Sequence, residues 1–211
     1  MNTNPRTVLA IESAISGGSI SLQRDGAEIA GWVGESSVSR AEDLLANIDD
    51  LIKKYGVSRD ELHLVAVSAG PGSFTGIRIG IATALGLKTG LGIQMASESA
   101  LKAIAYTQPV NEHLKVAVPA GREAVCVQSF ARSGQNLIEL DLPHTIPESD
   151  LLSSFNGDIS GSVILPSSLF EKVPGAAGVV DFGSNVAFAI GQICAADPDK
   201  ITEPLFIAKG F

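Results

Sequence analysis

Cysteine is scarce: Cys126 and Cys194 are the two in 211 residues. They sit in apolar surroundings and could form one bridge at most, which excludes a disulfide scaffold. Histidine is thinly spread, with His63, His113 and His144 far apart and neither a His-x-x-x-His pair nor a Cys-x-x-Cys present, so the spacings that hold a metal are missing. No Gly-x-Ser-x-Gly elbow occurs, and neither cysteine has a local basic neighbour to lower its pKa, so nucleophilic catalysis has no local signature. Basic charge is also short: 15 Lys+Arg against 23 Asp+Glu give a net charge of −8, which argues against a module that binds nucleic acid unaided. Val65 to Ser97 lacks acidic residues, but Arg78, Lys88 and several glycines interrupt it, so it falls short of the roughly 18 apolar residues that a membrane helix needs. Met1 to Thr7 is polar and does not read as a signal peptide; a cytoplasmic address is expected.

What remains is apolar enough to fold. Hydrophobic residues make up 45% and charged residues 18%, and a globular chain of this length buries roughly 70% of its unfolded surface, as one domain or two small lobes. Thr7–Ser13, Ser19–Gln23 and Glu28–Val33 read as strands, the last two joined by the Asp25-Gly26 hairpin turn. Ser39 with Glu42 reads as a capping box, and Leu44, Leu45, Ile48, Leu51, Ile52 and Tyr55 recur at helical spacing until Gly56. Leu62–Ser68 is an unbroken buried strand, Thr75–Thr89 a helix, Leu91–Met95 a strand, and a further helix starts at Ser97-Glu98-Ser99 and ends before Pro109. From Lys115 the pattern partly restarts, with strands at Lys115–Val118, Ala124–Phe130, Leu137–Leu140 and Val163–Leu165 and a helix at Ser184–Ala195. The expected organisation is an N-terminal lobe over residues 1–108 and a smaller, looser lobe over 109–211.

Two loops carry chemical potential. Gly70-Pro71-Gly72-Ser73-Phe74-Thr75-Gly76 is a strand-to-helix turn of small residues, where backbone N–H groups favour an anion. It lacks the third glycine of Gly-x-Gly-x-x-Gly and the lysine of a P-loop, so it reads first as a packing device. Glu12, at the end of the first strand and followed by Gly17 and Gly18, is the other: an acidic residue there can hold a metal-nucleotide, or be an ordinary strand-end carboxylate. Glu12, Gly17, Gly18, Gly70, Gly72 and Ser73 are thus the candidate vestigial phosphate loop. In the following helix Gly76, Gly80 and Ala84 recur every four residues as a groove, beside a stripe of Ile77, Ile81 and Leu85. Each glycine costs roughly 1 kcal/mol against alanine, which makes sense where another backbone comes close. Arg78 could meet a phosphate or a carboxylate. The groove's occupant is either this chain's own elements or a helix of a partner, and the pattern alone leaves both open.

The run Ser68-Ala69-Gly70-Pro71-Gly72-Ser73-Phe74-Thr75-Gly76-Ile77-Arg78-Ile79-Gly80 with Gly86-Leu87, and Glu203-Pro204-Leu205-Phe206-Ile207 near the end, resembles the bacterial TsaB (YeaZ) family of tRNA threonylcarbamoyladenosine biosynthesis proteins. The resemblance implies an α/β fold of the actin-like ATPase type (sugar kinase/Hsp70/actin, ribonuclease H-like), with two lobes of mixed sheet flanked by helices. It implies a non-catalytic activating subunit without a cofactor, paired with the paralogue TsaD, joined by the ATPase TsaE, touching tRNA only through the complex, and able to form a homodimer alone, with no membrane contact. The interface it implies lies on the first two helices, at Leu45, Ile48, Ile52, Phe74, Gly76, Arg78, Gly80, Thr83, Ala84 and Leu87. The competing reading is a nucleotide-binding small kinase or ATPase of the same fold. The chain departs from the family pattern at Glu12-Ser13-Ala14, where Asp-Thr-Ser is usual, at Arg40-Ala41-Glu42, and at Pro119-Ala120-Gly121.

Overall fold

Alternation of short apolar strands with helices builds two sheets of matching order. The computed structural model describes residues 6–15, 17–34, 43–108, 113–121, 123–133, 136–155, 162–174, 179–181 and 185–205. The first sheet runs β3 (Ala27–Val33), β2 (Ser19–Arg24), β1 (Thr7–Glu12), β4 (Leu62–Ser68), β5 (Gln94–Glu98). Its β1–β2 and β2–β3 pairs are antiparallel, and β1–β4 and β4–β5 are parallel. The second runs β11 (Val179–Asp181), β10 (Ser162–Leu165), β6 (His113–Pro119), β7 (Ala124–Ser133), β8 (Asn136–Glu139), with β9 (His144–Pro147) also on β7. Here β6–β7 is antiparallel and β6–β10 and β10–β11 are parallel, so the second sheet repeats the first with β6 in the place of β1. The repeat foreseen in the element pattern is therefore one of topology.

Five layers result. Leu9, Ile11, Ile20, Leu22, Val65 and Val67 face α1 (Leu44–Lys54) and α2 (Phe74–Leu91) on the outer side of the first sheet. The alternate residues Val8, Ala10, Leu64 and Ala66 face α3 (Ala100–Thr107) and α5 (Val186–Ala196), which lie between the sheets and also cover Leu114, Val116 and Phe130 of the second. Ala117, Val125, Val163 and Leu165 then pack under α4 (Leu151–Phe155). Period-two alternation with both faces apolar is what a sheet buried on two sides requires. Although α5 comes late in the chain, it packs on the first sheet, where Gln23 Nε2 donates to the Phe188 carbonyl at 3.0 Å.

The ends of the elements follow their local chemistry. Asp25 (φ 51°) and Gly26 (φ 81°) make the expected tight hairpin. The expected strand Leu91–Met95 instead begins at Gln94, because α2 continues to Leu91 and Gly92 caps it in the left-handed region at φ 66°. The Ser39–Glu42 capping box lies outside the described residues; a capping box is formed instead at Ser58 and Glu61, around the short 3₁₀ turn Arg59–Glu61. Two short elements, β9 and α4, stand in the stretch whose Pro, Ser and Gly hid any periodicity. β9 pairs with Ala124–Val127 and β8 with Phe130–Ser133, so two short strands share the edge of one long one. After α5 the chain returns to the first sheet. Ser97 N donates to Lys200 O, Leu205 N donates to Ala69 O, and Lys200 Nζ lies 2.7 Å from the buried Glu98 carboxylate.

The glycine groove of α2 is filled by this chain itself, which corrects its reading as a seat for a partner. A Cβ on Gly76 would lie 2.0 Å from the Ser13 carbonyl oxygen and one on Gly80 2.4 Å from Ser13 Oγ, while Ala84 is fully buried. Gly86 and Gly90, by contrast, have open space where a Cβ would stand. Gly76→Ala should therefore cost about 2 kcal/mol through backbone displacement, while Gly86→Ala should gain about 1 kcal/mol of helix propensity; urea denaturation of the two variants reads the opposite signs.

Candidate functional site

The β1–β2 turn and the start of α2 meet at the same end of the first sheet. Glu12 ends β1 with its side chain buried, and its Oε1 accepts the backbone N–H of Ala14 at 2.6 Å and of Ile15 at 2.9 Å. Ser73 N donates to Ala14 O at 2.6 Å, and Ser13 Oγ donates to Gly76 O at 2.9 Å, so the turn and the helix start are bound to each other. A Cβ on Gly72 (φ 152°) would stand 2.4 Å from Ala14 O, and one on Gly18 3.0 Å from Glu12 O. Gly34 N donates to Gly18 O, and a Cβ on Gly34 would stand 1.9 Å from Gly17 O, which closes the outer side. The structure thus sets Glu12, Gly17 and Gly18 in one turn and puts Gly72 and Ser73 against Ala14 of it, while Gly70 lies against Ile77 and Leu205. What the sequence did not show is that the turn and the helix start pack directly on each other, with Ser13 and Ala14 against Gly72, Gly76 and Gly80. The signal for this was the run of small residues on both sides of the contact.

Burial pushes the Glu12 carboxyl up to about 7, against the opposing pull of the Ile15 and Ala14 amides. Burial likewise pushes both Cys126 and Cys194 to about 12, so neither is a thiolate at neutral pH. Among the described residues no group of three His, Cys, Asp or Glu is placed to hold a metal, and no helix is long and apolar enough to cross a membrane.

The outward face of α2 has a different character. Phe74 and Leu85 are each 48% exposed, and Arg78 lies over the Phe74 ring, its guanidinium carbon 3.8 Å from the centroid. With Ala82 and Gly86 they form one outer strip, since residues four and seven or eight apart share a helix face. Leu45 on α1, on the same side of the sheet, is 60% exposed. Of the residues assigned to a partner interface, Leu45, Phe74 and Arg78 are exposed, and Thr83 and Leu87 are half-buried at its flank. Ile48, Ile52, Gly76, Gly80 and Ala84 are buried under the chain's own atoms, because α1 and α2 turn their small and branched residues inward onto β1, β2 and β4. Leu85, at the end of the stripe beside the groove, is exposed: it directly follows the buried Ala84 and so stands about 100° around the helix from it.

A family model described as TsaD: tRNA N6-adenosine threonylcarbamoyltransferase matches residues 35–144, just over half of the chain. The chain belongs to this family. Its curated relatives place it with the TsaB (YeaZ) members. The tRNA threonylcarbamoyladenosine biosynthesis protein TsaB of Escherichia coli K12 is 34% identical over 98 residues, covering 46% of this chain and 42% of that protein. TsaB of Buchnera aphidicola subsp. Baizongia pistaciae is 33% identical over 108 residues, covering 51% and 48%. The matches thus span about half the length of these relatives. In fold the chain is similar to YeaZ from Pseudomonas aeruginosa (TM-score 0.74, 19% identity, 96% of this chain and 100% of that one). It is also similar to component A of (R)-2-hydroxyglutaryl-CoA dehydratase from Acidaminococcus fermentans (TM-score 0.52, 10% identity, 90% and 96%). The fold is the actin-like ATPase fold expected from the sequence.

The raised Glu12 fixes a pH dependence. The folded state holds this proton up to about pH 7 and the unfolded chain releases it near 4.5, so the folded state binds more protons between these values and stability falls as pH rises across that window. The fall is on the order of 3 kcal/mol. Glu12→Gln keeps the Oε1 acceptor and cannot ionise, so its denaturation midpoint should lose this slope and exceed that of the wild type above neutrality; thermal scans across the window measure it.

Proposed function

We propose that this chain is a non-catalytic activating subunit in tRNA N6-threonylcarbamoyladenosine formation, docking on a TsaD subunit through the outer faces of α1 and α2. The observation that carries this is the exposed apolar strip of Phe74, Ala82, Leu85 and Gly86 with Leu45 beside it. Gly86 and Gly90 support it: each lowers helix propensity by roughly 1 kcal/mol, and among the described residues no atom lies within 4 Å of where their Cβ would stand. An exposed aromatic under an arginine is also the kind of group that anchors an interface. The same strip serves a homodimer when TsaD is absent, so the two assemblies compete.

Catalysis and most tRNA contact then belong to the partners, a TsaD subunit and a TsaE ATPase. A net charge of −8 favours contact with tRNA through the assembled complex rather than by this chain alone. Leu85→Asp should fold normally, since it changes an exposed residue, and should weaken TsaD binding at least tenfold, about 1.4 kcal/mol, with loss of modified tRNA in a reconstituted reaction. Calorimetry with the purified TsaD subunit of the same organism checks this. Wild-type affinity in both Leu85→Asp and Phe74→Ala, or turnover of ATP by this chain alone, would overturn the reading.

A further inference from the structure

Among the described residues, the β1–β2 turn and the starts of α2 and α5 present backbone N–H groups of the kind that gather an anion. In each the amides are already engaged. Ala14 N and Ile15 N converge on Glu12 Oε1. Ser73 N donates to Ala14 O, and Gly76 N to Ser73 Oγ. Ala187 N donates to Ser19 Oγ, and Phe188 N to Asn185 Oδ1. Of these acceptors only Glu12 brings a carboxyl group, and it reaches from the end of its own strand across the turn that follows.

From this we infer that the Glu12 carboxyl is an internal ligand: it occupies the backbone-amide nest of the β1–β2 turn in place of a phosphate oxygen and so closes this turn to nucleotides and inorganic phosphate. Two consecutive amides on one oxygen are the contact a nest makes with an oxyanion. The packing agrees. Gly72 approaches Ala14 O and Gly34 approaches Gly17 O too closely for any Cβ, so neighbouring backbone packs against the turn that Glu12 holds. The inference is independent of the partner face on α2, which lies on the other side of the helix from Ser13.

Removing the carboxyl should expose the nest. Glu12→Ala is expected to gain a saturable rise of a few degrees in thermal midpoint with inorganic phosphate, and with formate, relative to chloride at equal ionic strength. The wild type and Glu12→Gln, which keeps the Oε1 acceptor, should show none. An equal response in all three proteins, or none in a folded Glu12→Ala, overturns the inference. If Glu12→Ala folds only when formate or phosphate is present, that dependence supports it. A readout on the wild type alone also decides: the Ala14 and Ile15 amides should be protected from hydrogen exchange and unmoved by phosphate in NMR spectra, and fast exchange or phosphate-induced shifts at both would refute it. TsaD binding measured in parallel keeps the two readings separate, since Glu12→Gln should bind TsaD as the wild type does whichever way the phosphate experiment falls.

Discussion

The approach of the β1–β2 turn to the first turns of α2 sets the rest of the structure. Ser13 and Ala14 come so close to Gly72, Gly76 and Gly80 that any Cβ would overlap backbone or hydroxyl oxygen. Polar groups in that contact are satisfied across it, by Ser73 N on Ala14 O and Ser13 Oγ on Gly76 O, and an unmade bond there would cost about 1–3 kcal/mol. With the turn locked, β1 and β4 lie in parallel register beneath α2, and Ala84 reaches the outer core of the first sheet. The glycines therefore serve depth of packing.

The same contact divides α2 into two faces with opposite roles. Its inner face has lost side chains so that the molecule can close on itself. Its outer face keeps Phe74 and Leu85 exposed and has Gly86 with nothing opposite. A helix this apolar on all sides is normally covered on all sides, and the described residues cover only one. The uncovered half is where the proposed partner would dock.

The two sheets share one strand order but differ in how completely they are built. β3 pairs along the whole of β2, whereas its counterparts on β7 are two short strands separated by Asp141, whose carboxylate accepts from Ser129 N. The return of α5 and residues 197–205 to the first sheet ties the two halves, with Glu98 holding Lys200 and Lys102 at its edge. A buried carboxylate with two ammonium partners is tolerated because both charges compensate it.

Local patterns alone determined much of this chain. Apolar runs placed β1 and β4, the Asp25-Gly26 turn placed the hairpin of β2 and β3, helical spacing placed α1 with Gly56 at its end, and a start and a stop signal indicated α3, because these signals depend on neighbours in sequence. The loop Gly70–Gly76 was likewise enough to indicate the family. Direction was another matter. That Gly76, Gly80 and Ala84 point inward and Leu85 outward follows from which side of α2 meets β1 and β4, and a helix apolar all round carries no sequence signal for that choice. Nor could the letters show that Glu12 folds back onto Ala14 and Ile15, since a carboxylate at a strand end reads the same whether it faces a ligand or its own backbone. Only the tertiary structure showed that it meets its own backbone.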